Sequence, residues 1–402
     1  MKTSKNGRPG LNVLYLEIGR GHPFYLDGVV KLLETDYSEQ VAFSVHDAHS
    51  LSRGVSRLLW AEVEYFYRAG SQGGVAAVFY EKARKGRSPD KYGFPERILA
   101  RHIRKWVQEN PHPTLVSHPL LVPMISDQVS VFYQHGEIAA PRVSAVTGAE
   151  VIFVPLEETK AQLSEMGIPD ARLFVSGLCI EPFLAAGAAN MYEKRLARLQ
   201  GKAPLVGGFF SSGAEPPGHV RKLVLAAKSM AAAGQKAVVF CRKEGRLQRA
   251  MEREVAVVRH SPQDSPEDSE RKIAEHNIMV AAYENRSEED AWTLRLFGYL
   301  DYFVAPPHER TNWAVGLGLP MFILHPLIGP FAPLNREFLL ERKVALDISD
   351  EHEAENLAGI IQRLRNDGFL VQMAQNGFGN YNIDGFRKIA LYLADFLNSG
   401  RG

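Results

Sequence analysis

An uncharged stretch constrains the fold of this chain most strongly, because residues 311–335 contain no Lys, Arg, Asp or Glu. A membrane span would explain such a stretch, but its four prolines would break a spanning helix (Pro320, Pro326, Pro330 and Pro333). Apolar runs at 302–304 and 321–324 are instead typical of short buried strands, and Gly318 ends a short helix between them. Strand, loop, helix, strand is the pattern of a parallel α/β sheet, whose ligands bind beyond the carboxyl ends of the strands. The stretch therefore predicts a buried ligand-binding edge.

Length and composition indicate a two-domain protein of the ordinary globular kind. The chain has 402 residues, more than the roughly 250–300 that one hydrophobic core serves. Hydrophobic residues make up 45% and charged residues 23%, and the net charge of +1 argues against a partner that is a nucleic acid. The two cysteines, Cys179 and Cys241, form no CxxC pair, and the polar N-terminus has no signal-peptide core. We expect a cytoplasmic protein.

The first half of the chain repeats the order strand, polar loop, helix. A strand at 11–16 leads into Gly19-Arg20-Gly21-His22, where glycines let the backbone approach a ligand. Strands at 114–116 and 129–133 end in polar, titratable residues: Ser117, His118, Gln134, His135 and Glu137. These positions lie at the edge where α/β sites form.

A segment rich in aromatic residues and a basic run also lie in the first half. The aromatic residues fall within 58–67, and the run at 82–105 has nine basic and two acidic residues, a net charge of +7. This combination suits an anionic membrane surface. The alternative is a pair of helices with a solvated basic face and an aromatic stripe in the core.

The second half begins a new α/β set near residue 204. A Gly/Ser loop is predicted at 207–214, before a helix at 220–233, and its amides and hydroxyls would form a cradle for a diphosphate. The next strand ends in Arg242 and Lys243. The polar segment 261–272 is predicted to be a loop. A helix is predicted to begin at Asn335, and amphipathic helices are predicted at 354–366 and 386–397.

Together these features resemble the glycosyltransferases of the GT-B fold, in particular the group that contains the peptidoglycan enzyme MurG and the diacylglycerol glucosyl- and galactosyltransferases. The similar motifs are Gly19-Arg20-Gly21-His22, then Val154-Pro155, Gly167-Ile168-Pro169 and Val175-Ser176-Gly177, then Gly207-Gly208 to Ser212-Gly213, and finally Gly318-Leu319-Pro320. The resemblance spans nearly the whole chain. It implies an α/β protein of two Rossmann-like domains facing a cleft, with a C-terminal helix that returns to the N-terminal domain.

The resemblance also implies a division of labour along the chain. Residues 1–190 would form the acceptor-side domain, 200–375 the nucleotide-sugar-binding domain, and 376–402 the returning helix. The implied activity is metal-independent transfer of a sugar, with no cofactor, from a nucleotide diphosphate donor to a lipid or other hydroxyl acceptor. The expected donor is a UDP-sugar. The expected location is the cytoplasm, and a lipid acceptor would place the protein at the inner face of an anionic membrane.

The chain departs from the family pattern at two places. Trp313, beside Asn312, occupies the position of a glutamate that binds the ribose hydroxyls, and 329–333 replace a polar pair that contacts the donor sugar. Asn335 falls close to the family's following asparagine. These departures leave open a nucleotide-sugar epimerase of the same fold, or a non-catalytic protein that binds a nucleotide sugar.

Sugar transfer of this kind needs a base for the acceptor and positive charge or amides for the departing diphosphate. His22 is the candidate base, with Glu137 or His135 as competitors, and Arg310 is expected to stabilise the leaving group. Trp313 either packs in the core or stacks on the aromatic base of the nucleotide. The predicted nucleotide site comprises Gly207, Gly208, Ser211, Ser212, Gly213, Arg242, Lys243, His308, Thr311, Asn312 and Asn335.

Overall fold

The computed structural model describes residues 8–16, 21–70, 90 and 92–400, with the side chains of 66–70 excepted. The chain forms two compact units. The first consists of Met1–Pro182 with Tyr381–Gly402, and the second of Phe183–Asn380. Each unit contains one parallel sheet, which confirms the predicted α/β class with two Rossmann-like domains.

Strands in the described residues are short, as is usual for buried parallel sheets. The first unit contains β1 (Gly10–Tyr15), β2 (Ala42–Asp47), β3 (Thr114–Val116), β4 (Val131–Gln134), β5 (Val151–Val154) and β6 (Leu173–Val175). The second unit contains β7 (Val206–Phe210), β8 (Lys236–Arg242), β9 (Val258–Arg259), β10 (Ile278–Tyr283), β11 (Tyr302–Ala305), β12 (Met321–Leu324) and β13 (Ala345–Ile348).

Helices connect these strands. Up to the crossing between the units they are α1 (Gly21–Asp36), α2 (Gly54–Gly70), α3 (Phe94–Glu109), α4 (Val122–Ile125), α5 (Glu157–Glu165) and α6 (Pro182–Gln200). The remainder are α7 (Pro217–Ala232), α8 (Arg246–Glu254), α9 (Pro266–Glu275), α10 (Arg286–Leu296), α11 (Thr311–Leu317), α12 (Phe331–Glu341), α13 (Glu351–Glu355), α14 (Leu357–Asn366), α15 (Phe369–Asn376) and α16 (Gly385–Asn398). Single 3-10 turns lie at Pro119–Leu121, Arg142–Ser144, Asp170–Arg172 and Phe297–Tyr299.

The strand order of the first unit places a ligand edge beside its first strand. The strands pair in the order β2-β1-β3-β4-β5-β6, and every pair is parallel. Strand order reverses at β1, so the switch point lies between the carboxyl ends of β1 and β3, where α/β proteins bind ligands. Alternate residues of β1 face opposite sides, so Leu11 and Val13 join one hydrophobic cluster and Leu14 joins the other.

The C-terminal helix α16 packs on the first unit, which confirms the predicted return. Its Phe386 is 2% exposed and lies 5.7 Å from the ring of Phe24 on α1, measured between centroids. Gly28 permits this contact, because a side chain there would overlap the Phe386 ring. Further along α16, Phe396 lies edge-on to Phe132 of β4 at 4.8 Å.

The second unit has the same kind of switch point. Its strands pair in parallel in the order β13-β12-β11-β7-β8-β10-β9. Strand β7 comes first in the chain and lies between β11 and β8, so order reverses between β7 and β11. The loops that follow these two strands therefore meet at one edge.

Two predicted boundaries in the second unit were wrong. The polar segment at 261–272 is not all loop, because Pro266 begins helix α9. Ser265 caps this helix by accepting from the amide of Asp268, whose carboxylate accepts from the Ser265 amide in return. The helix predicted to begin at Asn335 begins at Phe331, four residues earlier (335 minus 331).

Candidate functional site

Three hydroxyl groups lie unsatisfied at the edge between β7 and β11. Ser211 and Ser212 follow β7, and Thr311 begins α11 after the β11 loop. The Oγ atoms of both serines and the Oγ1 atom of Thr311 are buried and have no hydrogen-bond partner in the described part of the chain. Buried hydroxyls are usually paired, since leaving one unpaired costs about 1–3 kcal/mol. The site thus retains donors for a ligand.

The first backbone amides of α11 are already used within the protein. The amide of Thr311 donates to the carbonyl of His308 at 2.8 Å, and that of Asn312 donates to Glu309 at 3.3 Å. Because a turn before the helix already uses these donors, Thr311 offers its side-chain hydroxyl rather than its amide at this edge.

Gly207 and Gly208 lie inside strand β7, so the prediction that placed them in a loop was wrong. A Cβ atom at Gly207 would lie 2.6 Å from the ring of Tyr302, and one at Gly208 would lie 2.8 Å from Leu300. Both glycines therefore allow side chains to pack over the strand. Gly213 does lie in the following loop, and a Cβ there would meet no atom within 4 Å.

Arg310 is enclosed by its own compensating charges. Its guanidinium forms buried ion pairs with Glu289 and, at 3.0 Å, with Glu309, and it lies over the ring of Phe210 at 4.4 Å. Two buried carboxylates already pair with this guanidinium, so its charge is compensated before any diphosphate binds. The leaving-group role predicted for Arg310 is therefore not the one that this geometry favours; the side chain organises the loop.

The cations after β8 lie on the surface. Arg242 and Lys243 are both exposed, and Lys243 forms an ion pair with Glu284. This pair holds the pKa of Lys243 above its ordinary value. Exposed pairs contribute little free energy, so these residues do not constitute a preorganised phosphate site.

The remaining predicted residues support the β11 loop from within. Asn335 is fully buried and donates from Nδ2 to the carbonyl of Pro307 at 3.0 Å. Asn312 is also buried, with 1% of its surface exposed. Burial lowers the pKa of His308, so the His308 ring is neutral at physiological pH. Trp313 packs in the core, 5.1 Å from Phe297, which decides between packing and base stacking in favour of packing.

His219 is a residue that the sequence analysis missed. It lies in the first turn of α7, is fully buried, and its Nε2 contacts the carbonyl of Pro326 at 2.9 Å. Burial lowers the pKa of His219 to about 4. The local sequence offered only a histidine shortly after Pro216 as a signal. The contact that gives His219 its environment, the carbonyl of Pro326, lies 107 residues further along the chain.

In the first unit, three histidines gather at the carboxyl ends of β1, β3 and β4. His22 is the second residue of α1, and its Nδ1 lies 2.9 Å from the carbonyl of Ser117. His118 follows β3, with its ring centroid 4.5 Å from that of His22. His135 follows β4, and burial lowers its pKa to about 4, with a smaller lowering from the charge of His22. Tertiary structure thus brings together residues that the sequence placed at separate strand ends.

Glu137, the competing base, is 8% exposed at the same edge, after the turn at Gly136. A side chain at Gly136 would overlap the ring of Tyr25, so the close approach of α1 requires glycine there. Gly19 and Arg20 of the predicted loop lie outside the described residues.

The predicted membrane surface is described only in part. Lys82, Arg84, Lys85, Arg87 and Lys91 lie outside the described residues. On α3, Arg97, Arg101 and Lys105 are exposed, whereas Arg104 pairs with Asp127 at 2.6 Å. On α2, Trp60 is buried, while Leu58 and Tyr65 are 70% and 68% exposed. Aromatic residues therefore lie on both faces of α2, and membrane binding stays a prediction.

Two units with parallel sheets, each with a ligand edge at its switch point, and a returning helix α16 define the GT-B architecture. Solved structures share it over almost the whole chain. Neisseria meningitidis UDP-GlcNAc 2-epimerase bound to UDP-GlcNAc is 11% identical, with a TM-score of 0.59, covering 96% of this chain and 99% of that one. MnaA from S. aureus with UDP is 11% identical, with a TM-score of 0.57 and 97% of both chains covered. Methanocaldococcus jannaschii UDP-GlcNAc 2-epimerase with UDP-GlcNAc and UDP is 12% identical, with a TM-score of 0.53, covering 96% and 99%.

These comparisons overturn the prediction of a glycosyltransferase, because the structures that match are named as 2-epimerases, which isomerise a sugar rather than transfer it. They do not support a specific likeness to MurG. No protein-family model matches the chain. No curated protein matches it either. Among the described residues, no helix combines the length and apolar character needed to cross a bilayer.

Proposed function

We propose that this protein is a nucleotide-sugar epimerase that binds a UDP-sugar at the carboxyl edge of the second sheet. The observation that carries the proposal is the set of three buried hydroxyls without partners, on Ser211, Ser212 and Thr311. A diphosphate supplies acceptor oxygens for such donors, and a hydrogen bond to a charged acceptor contributes about 1.5–3 kcal/mol. The names of the structures with the same fold support both the reaction and the UDP-sugar.

Inversion of C2 requires that the C2–H bond break and re-form on the opposite face of the sugar. The electron pair of this bond can form a C1–C2 double bond while the C1–oxygen bond breaks, so that its electrons leave with the nucleotide diphosphate. Returning the diphosphate to C1 and a proton to the other face of C2 gives the epimer. The route needs a base, and histidine suits this task near neutral pH. The proposal includes no cofactor.

Solvent exchange at C2 tests the reaction directly. The protein is incubated with UDP-GlcNAc in D2O, and the C2 proton is followed by NMR. We expect loss of the C2–H signal together with a second epimer, because the returning proton comes from solvent. Hydrolysis or transfer of the sugar would release UDP while the C2 proton stayed in place. Absence of both deuterium at C2 and a second epimer would refute epimerase activity.

Removal of the hydroxyls tests the binding site separately. Thr311→Val is nearly isosteric and removes only the hydroxyl, and Ser211→Ala with Ser212→Ala removes the other two. Each lost bond to a charged oxygen is expected to weaken UDP binding about 10- to 150-fold in calorimetry. Ser287→Ala, an exposed serine on α10, is the matched control and should bind as the wild type does. Equal UDP affinity in all four proteins would refute this site, whereas binding without exchange would identify a non-catalytic nucleotide-binding protein.

A further inference from the structure

A carboxylate from the loop that carries Ser211 and Ser212 caps a neighbouring helix. Helix α8 begins after Gly245, which has no side chain with which to satisfy the amides of the first helical turn. Oε2 of Glu215 accepts from one of these amides, that of Leu247, at 3.1 Å. The two residues are 32 positions apart, so the bond joins the loop after β7 to the helix after β8.

The carboxylate fits closely against the start of α8. Glu215 is 6% exposed, and a Cβ atom at Gly245 would lie 2.7 Å from its Oε2 atom, so glycine is needed there for the carboxylate to approach. Leu247 and Met251 of α8 are fully buried in the core of the second unit. The loop is therefore attached to an element that the core holds in place.

Glu215 also adopts a backbone conformation that glutamate rarely takes. Its φ is 44°, in the left-handed region, and Glu244 on the other loop has a φ of 57°. Such a conformation costs free energy in a residue with a side chain, and it persists where surrounding contacts impose it. The amide of Glu215 donates to the carbonyl of Ser212 at 2.9 Å, which closes the turn 212–215. The turn and the cap together fix the conformation of the loop.

We infer that Glu215 is a positioning residue of the nucleotide site, an inference that rests on the proposed function. Its carboxylate ties the loop 211–215 to α8 and so holds the hydroxyls of Ser211 and Ser212 in one arrangement before UDP binds. Both hydroxyls are buried and have no partner in the described part of the chain. A ligand that meets an ordered loop does not have to order it, which increases affinity. The helix N-terminus compensates the charge of Glu215 and reduces its repulsion of a diphosphate.

Two substitutions that differ by one carbon separate this bond from the rest of the residue. Glu215→Gln keeps the length of the side chain and an oxygen that accepts from the Leu247 amide. Glu215→Asn is one carbon too short for this bond, yet asparagine tolerates the left-handed backbone and leaves the loop less flexible than glycine would. Ser265→Ala is the matched control, because it removes the cap of α9, the bond from the Asp268 amide to Ser265 at 3.0 Å.

Calorimetry with UDP, together with the thermal midpoint, separates positioning from stability. A helix cap of typical to large strength changes an equilibrium about 5- to 30-fold, so releasing the loop in Glu215→Asn should weaken UDP binding within this range. Glu215→Gln should lose less than about 3-fold, because its amide oxygen still accepts. Ser265→Ala should lower the thermal midpoint at least as much as Glu215→Asn but bind UDP as the wild type does. Wild-type affinity in Glu215→Asn, equal losses in both Glu215 variants, or a comparable loss in Ser265→Ala would overturn the inference.

Combination with the hydroxyl variants shows whether Glu215 acts through its own loop. With Ser212→Ala, Glu215→Asn should weaken UDP binding less than it does alone, because one of the positioned hydroxyls is gone. With Thr311→Val it should weaken binding by its full factor, because Thr311 lies on α11 and not on this loop. The same factor in both combinations would overturn the positioning role alone. A wild type that binds no UDP, or hydroxyl variants with unchanged affinity, would instead refute the proposed site and this inference with it.

Discussion

Acid should destabilise this protein through His219, whose environment opposes protonation. The side chain is fully buried in the first turn of α7, and burial is the main cause that lowers its pKa from 6.5 to about 4. The carbonyl of Pro326, 2.9 Å from Nε2, acts in the other direction. His308, Lys222 and His325 lower the pKa further through their charges.

The sign and the magnitude follow from linkage between protonation and folding. Between pH 4 and 6.5 the unfolded chain binds a proton at His219 and the folded chain does not, so stability falls as pH falls through this window. For pKa values of 6.5 and about 4, the free energy of unfolding decreases by about 2 kcal/mol between pH 7.5 and pH 5. Above pH 7.5 the contribution is complete and no longer changes.

Urea denaturation at pH 7.5 and pH 5 measures this loss, with His219→Gln as the test variant. A glutamine amide reaches Pro326 in place of Nε2 but does not titrate, so the variant should lose about 2 kcal/mol less than wild type over this range. His135, whose pKa burial also lowers to about 4, contributes equally to both proteins and cancels. His352→Gln, at an exposed histidine, should behave as wild type. Parallel losses in His219→Gln and wild type would refute the reasoning.

Three further substitutions test the packing that supports the site. Arg310→Met removes the guanidinium that pairs with two buried carboxylates and should lower the free energy of unfolding by about 3–5 kcal/mol. The loss should be smaller when Glu289→Gln is added, and equal losses would contradict a charge effect. Gly207→Ala places a methyl group 2.6 Å from Tyr302 and should lower the free energy of unfolding by about 1–3 kcal/mol. The control Gly213→Ala meets no atom within 4 Å and should stay within about 0.5 kcal/mol of wild type in the same denaturation assay. Phe386→Ala should lower the free energy of unfolding by about 3–5 kcal/mol, because it removes the ring that packs between α16 and α1. The control Leu391→Ala, at a residue 45% exposed on the same helix, should leave the thermal midpoint nearly unchanged. Similar midpoints for the two variants would argue against the docking of α16.

Local patterns were sufficient for much of the fold. The run at Met321–Leu324 is a strand with the predicted bounds, because four consecutive apolar residues between turn signals suit a strand buried on both faces. Gly318 ends α11 with a φ of 59°, a conformation that glycine adopts without steric cost. The loop predicted at 261–272 was wrong because the prediction followed the polar composition. Ser265 and Asp268 form a capping box, which indicates that a helix begins there.

The sequence by itself determined the two α/β units and the strand ends at which polar residues would collect, because periodicity and turn residues act over a few positions. The return of the C-terminal helix followed from the family resemblance and not from a local pattern. Only the tertiary structure decided what those residues do. Arg310 meets Glu289 across 21 residues, and His22 meets Ser117 across 95. Whether a charge is compensated, or which nitrogen of a histidine carries its hydrogen, depends on groups that the folded backbone brings into contact, and no local pattern specifies that partner.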